Sequence, residues 1–243
     1  MKFQVWKFPV LCLLFCYWSS TSTVTGFTTD QLKRITDYVK ETYGIKKQYA
    51  YVITFDKTEC EQLTDQNIKD ALKNDKANDV RNKVLSHTSE IYEGSRMVMA
   101  SYKELGNNQR EHSEHRLLYP APDSTVSPVE NLLNKAPTEC AIFFTLNSPC
   151  QAYCTKPNGP YEIVSKLDQF SKINNRAFVY DQVYNDKICF AKCMESVDKK
   201  MPVYRCDKTC FECFTNGKFN LVCLNSSYQT YQIESSQTEK NNF

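Results

Sequence analysis

Along the 243 residues the spacing of apolar positions changes several times, and each change marks an element. Thr28-Thr29-Asp30-Gln31 has the form of a capping box, and Leu32, Ile35, Val39 and Tyr43 then recur at helical spacing until Gly44, which predicts a helix over 29–43. Tyr49 to Phe55 is an unbroken aromatic and β-branched run of strand type. Residues 56–90 are polar and charged, with a weak helical repeat at Ile68, Leu72 and Val80, and read as a surface insertion. A second strand is expected over 97–102, followed by a turn at Gly106-Asn107-Asn108.

The helical stretch 112–118 ends before Pro120 and Pro122, which do not fit a helix interior, so Pro120 to Thr125 reads as a loop. Ser127-Pro128-Val129-Glu130 restarts a helix, with a cap and proline at the first position. Ala141 to Leu146 is a continuous apolar run of buried-strand type, and Pro149 opens the turn that follows it. A helix over 161–172 and a strand over 177–184 complete the series. This order predicts an α/β fold, a three-layer α/β/α sandwich over 27–185. Residues 186–225 are Cys-dense and read as a disulfide-stabilised C-terminal appendage, and 226–243 as a polar, mobile tail. Within the appendage Asn216-Gly217 is a two-residue hairpin signal. Counting outward, Thr215 faces Lys218, Phe214 faces Phe219 and Cys210 faces Cys223, which predicts a Cys210–Cys223 disulfide.

Composition adds a compartment. Lys2 and Lys7 flank the start of an apolar segment, Phe8 to Trp18, followed by small hydroxyl residues to Thr23. That is the pattern of a signal peptide over 1–26, too short to span a bilayer, with cleavage after Ser22 or Gly26. A secreted, extracellular protein without a membrane span is expected. The chain carries 30 basic and 28 acidic residues, and loss of Lys2 and Lys7 leaves the two signs balanced. Binding to nucleic acid therefore finds no support in net charge. Secretion also places ten of the 12 cysteines where disulfides persist. Asn225-Ser226-Ser227 is an N-glycosylation sequon.

The candidate chemistry lies between His112 and Cys154. A hydrolytic zinc centre needs three protein ligands, an open fourth position for water and a carboxylate to carry protons. His112, Cys150 and Cys154 supply ligand types and Glu114 the carboxylate. The apolar run 141–146 delivers Pro149 and Cys150 to a strand's C-terminal end, where open α/β sheets keep ligands. A Cys-x3-Cys pair at i and i+4 shares one face of a regular helix.

His112-Ser113-Glu114 followed by Ser148-Pro149-Cys150 and Cys154 resembles the zinc-dependent nucleoside and nucleobase deaminases, whose signature is H-x-E followed by P-C-x-x-C. The Ser-Pro-Cys triplet is closest to the activation-induced and APOBEC-type cytidine deaminases. The resemblance implies a cytidine-deaminase-like fold, Zn2+ held by His112, Cys150 and Cys154, and proton transfer by Glu114. It implies as substrate a cytosine- or adenine-type base, as free base, nucleoside, nucleotide or nucleic acid. Here the cysteines are one residue further apart than in the signature, and Leu146-Asn147 stands where a Trp commonly precedes Ser-Pro-Cys. Two other readings remain at this level. Cys150 and Cys154 are also the material of disulfides, and the protein then becomes a catalytically inactive, secreted Cys-rich interaction or immune-effector protein on the same fold. Cys206, Cys210, Cys213 and Cys223 have spacing for a second zinc, although secretion favours disulfides. His87 and His115 read as surface residues.

Overall fold

A computed structural model of the chain describes residues 26–135, 138–184 and 190–224. The signal-peptide stretch through residue 25, Cys189, Asn225 and the tail lie outside the described residues.

Helix α1 (Thr29–Tyr43) begins at the Thr28–Gln31 capping box and stops where Gly44 takes φ 59°. Strand β1 (Tyr49–Phe55) follows, then three short helices, α2 (Lys57–Glu61), α3 (Asp65–Ala71) and α4 (Ala77–Val84). After β2 (Tyr92–Glu93) and β3 (Met97–Ser101), an exposed hairpin of β4 (Lys103–Gly106) and β5 (Gln109–Glu111) leads into α5 (Ser113–Leu118). Helix α6 (Pro128–Lys135) starts at Ser127, whose Oγ accepts from the Glu130 amide at 3.1 Å. Strand β6 (Cys140–Asn147), a π-type turn at Gln151–Thr155, a 3-10 helix at Val164–Phe170 and β7 (Asn175–Gln182) come next. Helix α7 (Phe190–Asp198) and the short strands β8 (Val203–Cys206), β9 (Cys210–Glu212), β10 (Phe214–Thr215) and β11 (Lys218–Phe219) close the series.

Seven strands form one mixed sheet in the order β2-β3-β1-β6-β7-β8-β9. The β6–β7 and β7–β8 pairs are parallel and the others antiparallel. Both faces are covered, which is why β1 and β6 are continuously apolar. On one face Tyr51, Ile53, Ile142 and Phe144 pack with Leu32, Ile35 and Val39 of α1. On the other Val52, Phe143 and Phe178 pack with side chains of α5, α6, α7 and the 3-10 helix. The expected three layers are present.

The expectation for residues 56–90 needs correction. Ile68, Leu72, Val80 and Val84 are buried in the α1-side core, so α3 and α4 belong to that layer. The disulfide Cys60–Cys140 ties α2 to the first residue of β6. The C-terminal region is disulfide-rich, as expected, and β8 and β9 also extend the main sheet.

The Cys210–Cys223 pairing is not formed. The bonds are Cys206–Cys210 and Cys213–Cys223. The hairpin register itself is as counted, with Phe214 opposite Phe219 and Thr215 opposite Lys218, and with Asn216 and Gly217 at φ 52° and 70°. The ladder ends at Asn220, whose amide donates to the Cys213 carbonyl and whose Oδ1 caps a 3-10 turn, Leu221–Cys223, by accepting from the Val222 amide. That turn carries Cys223 back to Cys213. Cys210 sits opposite Cys206 because β9 pairs with β8.

Candidate metal centre

Sheet order gathers the site at one edge. Antiparallel pairing puts the start of β1 beside the end of β6 (Ala50 opposite Thr145) and beside the end of β3 (Tyr49 opposite Ser101). Parallel pairing puts the end of β7 there as well, with Asn147 opposite Gln182. The residues just beyond those ends, Gln48, Tyr102, Ser148 and Tyr184, therefore converge on a cleft that also reaches His112, Glu114 and Cys150. Its cavity volume is about 120 Å3, below the ~300–1,000 Å3 of enclosing small-molecule sites, and it opens to solvent.

His112 is the residue on which α5 starts, in extended conformation, and its ring turns toward the end of β6. Cys150 is likewise extended, and Cys154 follows in the π-type turn. The Cys150 carbonyl accepts from the amides of both Cys154 (3.0 Å) and Thr155 (3.2 Å), so the turn is wider than α-helical and absorbs the extra residue between the cysteines. The turn is thus not the regular one in which an i, i+4 pair would share a helical face. His112 Nδ1 lies 3.1 Å from Cys154 Sγ and 3.8 Å from Cys150 Sγ, and the sulfurs are 3.5 Å apart. A disulfide requires ~2.05 Å, and both cysteines are free.

These separations fit a shared metal. With zinc bonds of ~2.3 Å to sulfur and ~2.0 Å to nitrogen, tetrahedral geometry sets S···S near ~3.8 Å and N···S near ~3.5 Å. Among the described residues this is the group of His, Cys, Asp or Glu whose donor atoms cluster closely enough to hold an ion. Burial lowers the His112 pKa, but the bond to Cys150 and the Glu114 charge outweigh it, and the net direction is up. The thiols are held apart, Cys150 lowered first by its hydrogen bond with Cys154, and Cys154 raised by the same bond and by burial. Metal ligation needs a neutral imidazole and deprotonated thiols, so a bound cation would take the place of these protons.

Glu114 stands outside the three-atom cluster, buried, at the cleft wall. Thr145 Oγ1 donates to its Oε1 at 2.8 Å, and Ser113 Oγ to its Oε2 at 3.1 Å. His115 is bonded to Glu111 at 2.9 Å and stacked on Tyr119, outside the three-atom cluster. His87 is exposed. Tyr161 stacks on the His112 ring at 5.1 Å.

A family model described as Secreted Novel AID/APOBEC-like Deaminase 2 matches residues 32–223. The chain belongs to this family. Neither a curated protein nor a solved structure gave a match. The deaminase match ends at Cys223, so the family pattern includes the disulfide-rich C-terminal region. The secreted character expected from the N-terminal pattern is part of the family's description, and among the described residues no helix is long and apolar enough to cross a membrane.

Sequence reasoning brought together His112, Glu114, Cys150 and Cys154 and missed Gln48, Tyr102, Arg110, Thr145 and Tyr184. Thr145 lies inside the apolar run that was read as pure core. The others carried no local signal.

Proposed function

We propose that the protein is a secreted zinc-dependent hydrolase that deaminates a cytosine- or adenine-type base. What supports this most is one juxtaposition: three donor atoms within 4.8 Å of one another, with a buried, non-ligating carboxylate beside them at the wall of a cleft. His112, Cys150 and Cys154 hold the metal. Zinc bound there supplies a Lewis-acid centre and a water of lowered pKa.

The chain's own part is proton handling and exclusion of solvent. Glu114 takes a proton as water adds to the amine-bearing ring carbon and delivers it to the adjacent ring nitrogen. It then carries a second proton from the added oxygen to the departing amine, leaving a carbonyl and ammonia. Its burial and its two hydroxyl partners keep the carboxylate in one place between transfers. Balanced net charge gives a polynucleotide no general advantage.

The test is metal analysis and ammonia release by the purified mature chain, across cytosine and adenine bases, nucleosides, nucleotides and oligonucleotides. One zinc per chain and turnover of one of these is expected. Glu114→Ala should retain the zinc and lose about 10²- to 10⁴-fold in turnover, the usual contribution of a positioned acid/base. Zinc without turnover on any substrate would instead make this an interaction protein that has kept the metal for its fold.

A further inference from the structure

From the hydrogen bonds behind Glu114 we infer that Gln48 and Ser113 are positioning residues, a two-member chain that orients the Glu114 carboxylate. The inference rests on the catalytic reading of Glu114 given above. Gln48 Nε2 donates to Ser113 Oγ at 2.7 Å, and Ser113 Oγ donates to Glu114 Oε2 at 3.1 Å. Ser113 is fully buried. It lies between the histidine and the glutamate on α5, whereas Gln48 precedes β1, so the chain ties the two elements together across the sheet edge.

The direction of this chain is fixed by the donor inventory. An amide NH2 only donates, so Ser113 Oγ must accept from Gln48 and has its single proton left for Glu114. A hydroxyl that is already accepting is also a better donor. Thr145, on the other carboxylate oxygen, has no such bias. Its one proton serves either Glu114 Oε1 at 2.8 Å or the Asn147 carbonyl at 2.9 Å. Glu114 is thus held firmly at Oε2 and exchangeably at Oε1, an arrangement that suits a group required to accept a proton and then release it. Gln48 also lines the cleft, so any contact of its own with substrate would be read in KM and the series test in kcat.

The experiment uses the full mature chain, zinc-loaded, with wild type, Ser113→Ala, Gln48→Leu and the double variant. Expected results are unchanged zinc content in all four and an approximately tenfold fall in kcat for Ser113→Ala with KM within twofold, because Ser113 does not line the cleft. The double variant should be no slower than Ser113→Ala alone, because the two residues act in series. A kcat unaffected by Ser113→Ala, or losses that multiply in the double variant, would overturn the inference. Urea unfolding supplies a readout free of turnover: the midpoint shift caused by Ser113→Ala should at least halve in a Glu114→Leu background. Full additivity there sinks the chain whether or not the protein turns over. A wild type with no turnover on any base sinks the catalytic reading and leaves the unfolding cycle to decide this one.

Discussion

Asp56 shows how much one side chain does here. It caps α2 by accepting from the Glu59 amide at 3.0 Å, and its other oxygen meets Arg96 at 3.0 Å. The amide bond first, and the Arg96 charge after it, hold its carboxyl below the usual range. A depressed carboxylate contributes stability that is present above the unfolded pKa of about 3.9 and lost as pH falls through the lower folded value. Asp56→Ala should cost about 1 kcal/mol at pH 7, as cap loss does. Urea titrations of the two proteins should draw closer as pH falls below about 4 without meeting, because a protonated Asp56 still offers its carbonyl oxygen to the Glu59 amide. The side chain is 40 % exposed, so solvent screens the Arg96 pair and the cap is the larger part. Asp56→Asn, which keeps a cap acceptor, should therefore lose much less than Asp56→Ala.

Among elements, the π-type turn at Gln151–Thr155 is where the chain departs from the regular spacing of the deaminase signature. The added residue widens one turn and leaves both sulfurs within 3.8 Å of His112 Nδ1. Deleting Ala152 restores a two-residue spacing, and a regular turn can then carry the cysteines. One zinc per chain should remain, read by metal analysis, and loss of the zinc would show that the wide turn is needed to bring the sulfurs together. The ligand types and their order were legible because the chemistry restricts them to His, Cys and Glu at short range. The strands were legible for a related reason, since a sheet covered on both faces leaves uninterrupted apolar runs such as Tyr49 to Phe55. Gln48 and Tyr102 were not legible, because sheet order alone brings the ends of β1 and β3 to β6. The α3–α4 layer was hidden by its brevity: helices of seven and eight residues bury only two each, Ile68 and Ala71, then Val80 and Val84, under a charged surface. The cysteine pairing failed one step past a correct register, where Asn220 ends the ladder.

For the molecule as a whole, the disulfides are unequal. Cys60–Cys140 spans 80 positions and Cys206–Cys210 spans four. In the chain-entropy account these are worth about 4.5 and about 2 kcal/mol. Cys60→Ser with Cys140→Ser should thus lower the urea-unfolding free energy by roughly twice as much as the Cys206/Cys210 double replacement. An equal effect would mean that loop length does not govern stability here. The first bond also anchors the strand that ends at the metal turn, so its loss should be felt at the site as well.

The 3.5 Å between the sulfurs of Cys150 and Cys154 has a consequence for manufacture. A small rotation would join them, and the same polypeptide must oxidise six other cysteines on its way out of the cell. Timing then decides the product: metal that arrives ahead of the oxidant acts as a protecting group, and metal that arrives later finds its seat closed. Reduced protein refolded with zinc before glutathione disulfide should keep two thiols that react only after chelation. With the order reversed, those thiols should be missing and the zinc capacity with them. The cell's zinc supply to its export route would then set the yield of loaded protein, with no change in how much chain is made.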